Sequence, residues 1–116
     1  MAVEKSKIIL VDDSVTNLTI GKQALGGAYE LLTVSSGEKL FRALRAVVPD
    51  LILLDVDMPG MNGFEVIERL KKAPDTKDIP VIFLSAREDV RSYEKGLMLG
   101  ADDYVVKPYN PMLLMN

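Results

Sequence analysis

The chain has 116 residues, 48% of them hydrophobic and 27% charged, with 14 Lys and Arg against 17 Asp and Glu for a net charge of −3. This predicts one domain of ordinary globular composition, and the slight negative charge argues against broad attraction to nucleic acid or an anionic membrane. The absence of Cys and His removes disulfides, thiolate metal sites, Cys nucleophiles and imidazole acid–base chemistry on this chain.

In chain order, Ile8-Ile9-Leu10-Val11 is a short β-branched run, and Leu51 to Leu54 and Val81-Ile82-Phe83-Leu84 are two more. Each is apolar at successive positions, as strands covered by helices on both faces should be. Leu31 to Val34 and Tyr104 to Val106 are weaker and suit sheet edges. Between them the period changes to that of helices. Residues 14–27 align Val15, Leu18, Gly21 and Leu25, with Ser14 as N-cap. Residues 37–48 align Leu40, Leu44, Val47 and Val48 and stop at Pro49. Residues 64–73 align Val66, Ile67 and Leu70. Residues 89–100 align Val90, Tyr93 and Leu97, with Gly100 just past the helix end. Asn110-Pro111 is a good helix start, but the chain stops at Asn116, so the fifth helix is expected to be truncated.

Strict strand–helix alternation predicts an α/β fold, a doubly wound five-stranded parallel sheet with helices on both faces. A barrel would need more chain. No apolar run is long enough to span a membrane and Met1 to Lys5 lack a signal-peptide core, so a cytoplasmic location is the expectation.

The polar residues fall at strand ends. Asp12 and Asp13 follow the first strand, Asp55 the third, Ser85 the fourth and Lys107 the fifth. In an open parallel sheet those ends share one edge, and ligands bind there. Singly, each residue has a plain structural account: an Asp after a strand caps or turns, Ser85 is a loop residue, Lys107 a solvated charge. Asp102-Asp103 reads as a turn, Lys71-Lys72 as a solvated helix face and Tyr104 as edge-strand packing. Jointly, the placement predicts one cleft. Its carboxylates would repel one another and would accept a hard divalent cation such as Mg²⁺ (or Mn²⁺) through Asp13 and Asp55, with Asp12 acting through a water. The cation and Lys107 would neutralise an incoming phosphoryl group, Ser85 would donate to it, and a carboxylate would accept it covalently.

The motifs Val11-Asp12-Asp13-Ser14, Leu54-Asp55-Val56-Asp57-Met58-Pro59-Gly60, Leu84-Ser85-Ala86 and Gly100-Ala101-Asp102-Asp103-Tyr104-Val105-Val106-Lys107-Pro108 resemble the receiver domain of bacterial two-component response regulators, of the chemotaxis-regulator kind, over nearly the whole chain. The resemblance implies a flavodoxin-like strand order 2-1-3-4-5 and a single receiver domain, 1–116, forming the N-terminal part of a longer protein. It implies that Asp55 is the phosphoacceptor, that Asp13, Asp55 and the backbone carbonyl of Asp57 hold the metal, and that Asp12 acts on it through a water. Lys107 would bind the phosphoryl group, and Ser85 and Tyr104 would be the switch pair, Tyr104 turning inward as Ser85 moves. The donor would be the phosphohistidine of a sensor histidine kinase or histidine phosphotransfer protein. Further implications are an output domain beyond the C-terminus, a homodimer through the fourth helix, fifth strand and fifth helix, and a weak autophosphatase activity rather than conventional enzymology. The resemblance also implies that Asp57 and Arg87, two residues past Asp55 and Ser85, would tune that rate; Arg87 is read as solvated in preference to reaching the cleft.

Two other readings compete. Asp55-Val56-Asp57 also fits an aspartate-nucleophile phosphohydrolase of haloacid dehalogenase type, but that family puts DxD on its first strand and further acids after its lysine. A receiver-like module that is never phosphorylated is the second; it would usually have lost an acid or the lysine, and none is lost here. A flavin module is disfavoured, because Asp12 and Asp13 would repel its phosphate.

Overall fold

The structure is a computed structural model and describes residues 5–107. The Asn110-Pro111 helix start and the truncated fifth helix lie outside those residues. Five strands, β1 (Lys7–Val11), β2 (Glu30–Val34), β3 (Leu51–Asp55), β4 (Val81–Ser85) and β5 (Asp103–Val106), form one parallel sheet in the order 2-1-3-4-5. The helices between them are α1 (Val15–Leu25), α2 (Gly37–Leu44), α3 (Gly63–Lys72) and α4 (Val90–Met98).

Successive strand residues point to opposite faces, and the core divides accordingly. Ile9, Val11, Ile52, Leu54, Val81 and Phe83 pack with Leu40 of α2 and Phe64, Val66, Ile67 and Leu70 of α3. Ile8, Leu10, Leu53 and Leu84 pack with Leu25 of α1. This is why the β1, β3 and β4 runs carry no alternation. Burying one such Leu or Ile side chain contributes roughly 1.5–3 kcal/mol, so these three central strands form a rigid base for whatever their ends carry.

The helix starts are set by side-chain caps. Ser14 Oγ accepts from Asn17 N, as the sequence predicted, Ser36 from Lys39 N and Asp89 from Ser92 N. Asn62 and Glu65 form a reciprocal capping box at α3.

Three helical stripes differ from expectation. Val15 is 75% exposed, because the first residue of α1 sits where the chain leaves the sheet edge. The helix expected over 37–48 ends at Leu44: Pro49 biases Val48 toward extended backbone, and the chain must reach β3 within a few residues, so Val48 faces solvent. On α4, Val90 and Tyr93 are exposed while Ser92 and Gly96 are buried. A β-carbon on Gly96 would lie 3.0 Å from the Phe83 ring and 3.1 Å from that of Tyr104. Two aromatic rings beneath the helix leave room only for small residues, so the large apolar side chains turn outward. Gly100 does follow the helix, with φ of 109°.

Candidate functional site

The chain runs from β1 outward to β2, then back across to β3, so the connections diverge at the C-terminal ends of β1 and β3. That divergence opens the crevice in which doubly wound sheets place ligands. Asp12 and Asp13 stand directly after β1, and Asp55 is the last residue of β3. One oxygen from each of the three carboxylates can be chosen so that all lie within 4.8 Å of one another. Asp12 and Asp55 are buried, and Asp13 is exposed.

Lys107, reaching in from the end of β5, ties the cluster together. Its Nζ donates to Asp12 Oδ2 at 2.7 Å and stands 3.3 Å from Asp55 Oδ1. Its backbone N donates to the Ser85 carbonyl at 2.7 Å, which fixes the β4 and β5 ends side by side. Asp12 is further held by Ser14 N at 2.9 Å and by Asn17 Nδ2 at 3.1 Å. Among the described residues nothing donates to Asp13. Asp12 is thus engaged by protein donors, whereas Asp13 presents an open carboxylate beside it.

Electrostatics follow from that arrangement. Burial and the neighbouring Asp12 charge push the Asp55 carboxyl up to about 6, against the pull of Lys107. Burial alone would lower the Lys107 ammonium, but its hydrogen bond to Asp12 and the Asp55 and Asp12 charges outweigh that and raise it. Lys107 therefore stays charged, and when all three acids are ionised the cluster keeps a net excess of two negative charges. The donors are all oxygens, and the chain offers no thiolate or imidazole. This set suits a hard divalent cation and does not suit a soft one.

The approach of α3 supports the site from behind. Gly63 N donates to the Val56 carbonyl at 2.8 Å, and a β-carbon at Gly63 would collide with the Asp55 carbonyl oxygen and crowd Val56 Cα. Glycine is what lets the helix start this close to the strand end.

Ser85 is fully buried, and its Oγ accepts from Arg87 N at 3.0 Å. Tyr104 is buried too, its hydroxyl donating to the Arg87 carbonyl at 3.0 Å and its ring packed near Phe83 and Tyr93. Tyr104 is therefore already in an inward position. Arg87 is exposed, as expected, and it is also paired. Its Nε stands 3.0 Å from both Asp57 carboxylate oxygens and its Nη2 2.6 Å from Oδ1, so a forked ion pair joins the β3–α3 and β4–α4 loops.

Two further expectations change. Asp102 does more than turn: its Oδ2 accepts from Val81 N at 2.9 Å while its N donates to the Val81 carbonyl at 2.8 Å, pinning the start of β4. Lys71 is not merely solvated, since its Nζ donates to the Lys77 and Ile79 carbonyls. Asn17 was missed altogether. Its signal was its place in the first turn of α1, five residues after Asp12, where a short amide can reach back to the acid.

A doubly wound sheet whose rim holds three acids, a bridging lysine and a buried serine at separate strand ends is the arrangement of a receiver-type signalling module. The chain belongs to the response regulator receiver domain family, whose model matches residues 8–116. It is 41% identical to the protein of Cyanophora paradoxa described as "Probable transcriptional regulator ycf27", over 96% of this chain and 46% of that protein. Among solved structures it is similar to the chemotaxis protein CheY4 of Vibrio cholerae, with a TM-score of 0.89 and 29% identity over 96% of this chain and 93% of that one. It also resembles the response regulator Rcp1 in its Mn²⁺-bound form, with a TM-score of 0.82 and 28% identity over 94% and 86%. The chain spans about half the length of ycf27 and 24% of another curated relative, a cyclic di-GMP phosphodiesterase of Vibrio cholerae. Among the described residues no helix is long and apolar enough to cross a membrane.

Proposed function

We propose that this receiver domain accepts a phosphoryl group on Asp55 from the phosphohistidine of a partner kinase or phosphotransfer protein, in the cytoplasm, with Mg²⁺ (or Mn²⁺) bound at the acidic cluster. The observation that carries the reading is the pairing of Lys107 with both Asp12 and Asp55 while Asp13 stays open. It supplies a buried nucleophile, a fixed counter-charge and an unengaged ligand at one sheet edge.

Asp13, Asp55 and the Asp57 carbonyl would hold the cation, with Asp12 acting through a water. The cation would supply charge neutralisation for the transferring group. An ionised Asp55 oxygen forms the new O–P bond as the N–P bond of the phosphohistidine breaks, and the leaving imidazole takes up a proton. Lys107 Nζ, already within reach of Asp55, pairs with a phosphoryl oxygen, and the Ser85 hydroxyl donates to another. Because Asp55 titrates near 6, its nucleophilic form prevails at neutral pH. Water entering the same cleft would hydrolyse the acyl phosphate slowly, at a rate that the Asp57–Arg87 pair, two residues beyond Asp55 and Ser85, would tune.

Readout would pass through Ser85 and Tyr104 to α4 and β5, where Val90, Tyr93 and Met98 are exposed. A second copy or an output domain of a longer protein would engage there. Two conformers biased by phosphorylation suffice. The phosphohydrolase reading gains no support, since the matched family is the receiver's.

Intact-mass measurement after incubation with Mg²⁺ and acetyl phosphate tests the assignment. The wild-type chain gains one phosphoryl group and Asp55→Asn gains none; equal labelling of both overturns it.

A further inference from the structure

The α2 and α3 helices frame a second concave site. A cleft of about 250 Å³ is lined by Glu38, Phe41, Arg42, Arg45, Met61 and Arg69. Phe41 and Met61 are half-buried and pack onto the core, so they form an apolar floor. The three arginines are exposed at its walls.

Three guanidinium groups gathered in a chain of net charge −3 would ordinarily be matched by carboxylates. Helix geometry offers two, since Glu38 precedes Arg42 by four residues and Glu65 precedes Arg69 by four, the favourable order for such pairs. Neither pair forms. Glu65 turns away to the α3 capping box, where its Oε1 accepts from Asn62 N at 3.2 Å. Among the described residues the ion pairs are made by Arg87 and Lys107 only, and none by Arg42, Arg45 or Arg69. The capping box therefore draws Glu65 away and leaves Glu38 as the carboxylate lining a cleft with three arginines.

We propose that this cleft binds a nucleotide, its phosphates on Arg42, Arg45 and Arg69 and its base over Phe41. Guanidinium forks match phosphate oxygens in pairs and keep their charge at every physiological pH. With Glu38 beside them, the three leave an excess of two positive charges, which offsets part of the charge of a di- or triphosphate. An aromatic floor offers a stacking surface to a flat ring. Glu38 on the rim would repel a bare polyanion but can accept an N–H from a base, which favours a nucleotide over inorganic phosphate. The volume lies just under the roughly 300–1,000 Å³ of ordinary small-ligand sites, so the cleft would hold part of a nucleotide and leave the rest in solvent. These residues are separate from the acidic cluster, so the proposal stands or falls independently of phosphorylation at Asp55.

The test is calorimetric titration of the 116-residue chain with GTP, ATP and pyrophosphate, without divalent cations so that the acidic cluster cannot hold a metal–nucleotide complex. The proposal expects saturable one-to-one binding of at least one nucleotide, about tenfold tighter than pyrophosphate. It also expects loss by about tenfold or more in Arg42→Gln/Arg69→Gln and retention in Asp55→Asn. Both arginines are exposed, so the double variant should fold, which thermal melting checks. Binding of pyrophosphate as tight as that of nucleotide, unchanged binding in the arginine variant, or no nucleotide binding overturns it. Binding of an acidic peptide in place of nucleotide overturns it too.

Discussion

Two ion pairs join loops at the same rim of this sheet, and they are opposites. Lys107 meets Asp12 and Asp55 with side-chain exposures of 16%, 3% and 8%; Arg87 meets Asp57 with 49% and 51%. The Arg87 fork has more contacts, three against two, yet about half of each side chain is open to water. Exposed pairs are worth about 0–1 kcal/mol, whereas breaking a buried one leaves an uncompensated charge at a cost of several kcal/mol. The difference assigns them different work. The Lys107 contact is a fixed part of the site that offsets part of the upward push of burial and Asp12 on the Asp55 carboxyl. The Arg87 contact can form and break at little cost.

The largest effect should come from removing the buried cation. Lys107→Met leaves Asp12 and Asp55 facing each other without a counter-charge, so stability near neutral pH should fall by about 3 kcal/mol. Asp55 should titrate above its present value of about 6. Urea unfolding with and without Mg²⁺ checks this, and a loss below about 1 kcal/mol in metal-free buffer would equate the two pairs and break the contrast.

Asp55→Asn should move the other way. A carboxyl whose pKa is raised on folding favours the folded state when protonated. That contribution is complete below the unfolded value of about 4 and is lost as pH climbs through about 6. The neutral amide escapes the loss. Metal-free Asp55→Asn should therefore match the wild type near pH 4 and exceed it by about 1–3 kcal/mol above pH 7. A gap that is constant with pH would show that Asp55 is not the titrating group.

The contrast between the two pairs was only half legible in the sequence. Strand runs without alternation gave a covered parallel sheet, and acids and lysine at three strand ends gave one cluster. Those features depend on local pattern and on topology that alternation dictates. What escaped were contacts set by distance in space. Arg87 and Asp57 are thirty residues apart, and nothing in either segment encodes that their loops adjoin. Val11-Asp12-Asp13 names two acids but not which one Lys107, Ser14 and Asn17 would saturate. The α4 stripe was misread because the helix period assumes that large residues face inward, whereas Phe83 and Tyr104 fill the space beneath and admit only Ser92 and Gly96.

Cation binding sharpens the comparison further. Protons and Mg²⁺ compete for Asp55, so the rise in melting temperature on adding Mg²⁺ should be full above about pH 7 and fade as pH drops through about 6. Neutralising the Arg87 pair should leave that profile where it is. A stabilisation by Mg²⁺ that persists unchanged well below that range would place the cation away from Asp55.

The smallest equilibrium effect belongs to the exposed pair and is also its most specific signature. Arg87→Ala should change unfolding free energy by no more than about 0.5 kcal/mol, because solvent replaces both ends of the contact. If the fork is a closure over the acyl phosphate, the same substitution should speed loss of the phosphoryl group from Asp55 several-fold while leaving its acquisition nearly unaltered. Asp57→Asn, which removes the charge but keeps the backbone carbonyl, should do the same, and the double variant should add little to either single one. Following the phosphorylated mass over time in all three reads both rates from one sample. Additive effects of the two substitutions would mean that Arg87 and Asp57 act separately on the cleft rather than as a pair.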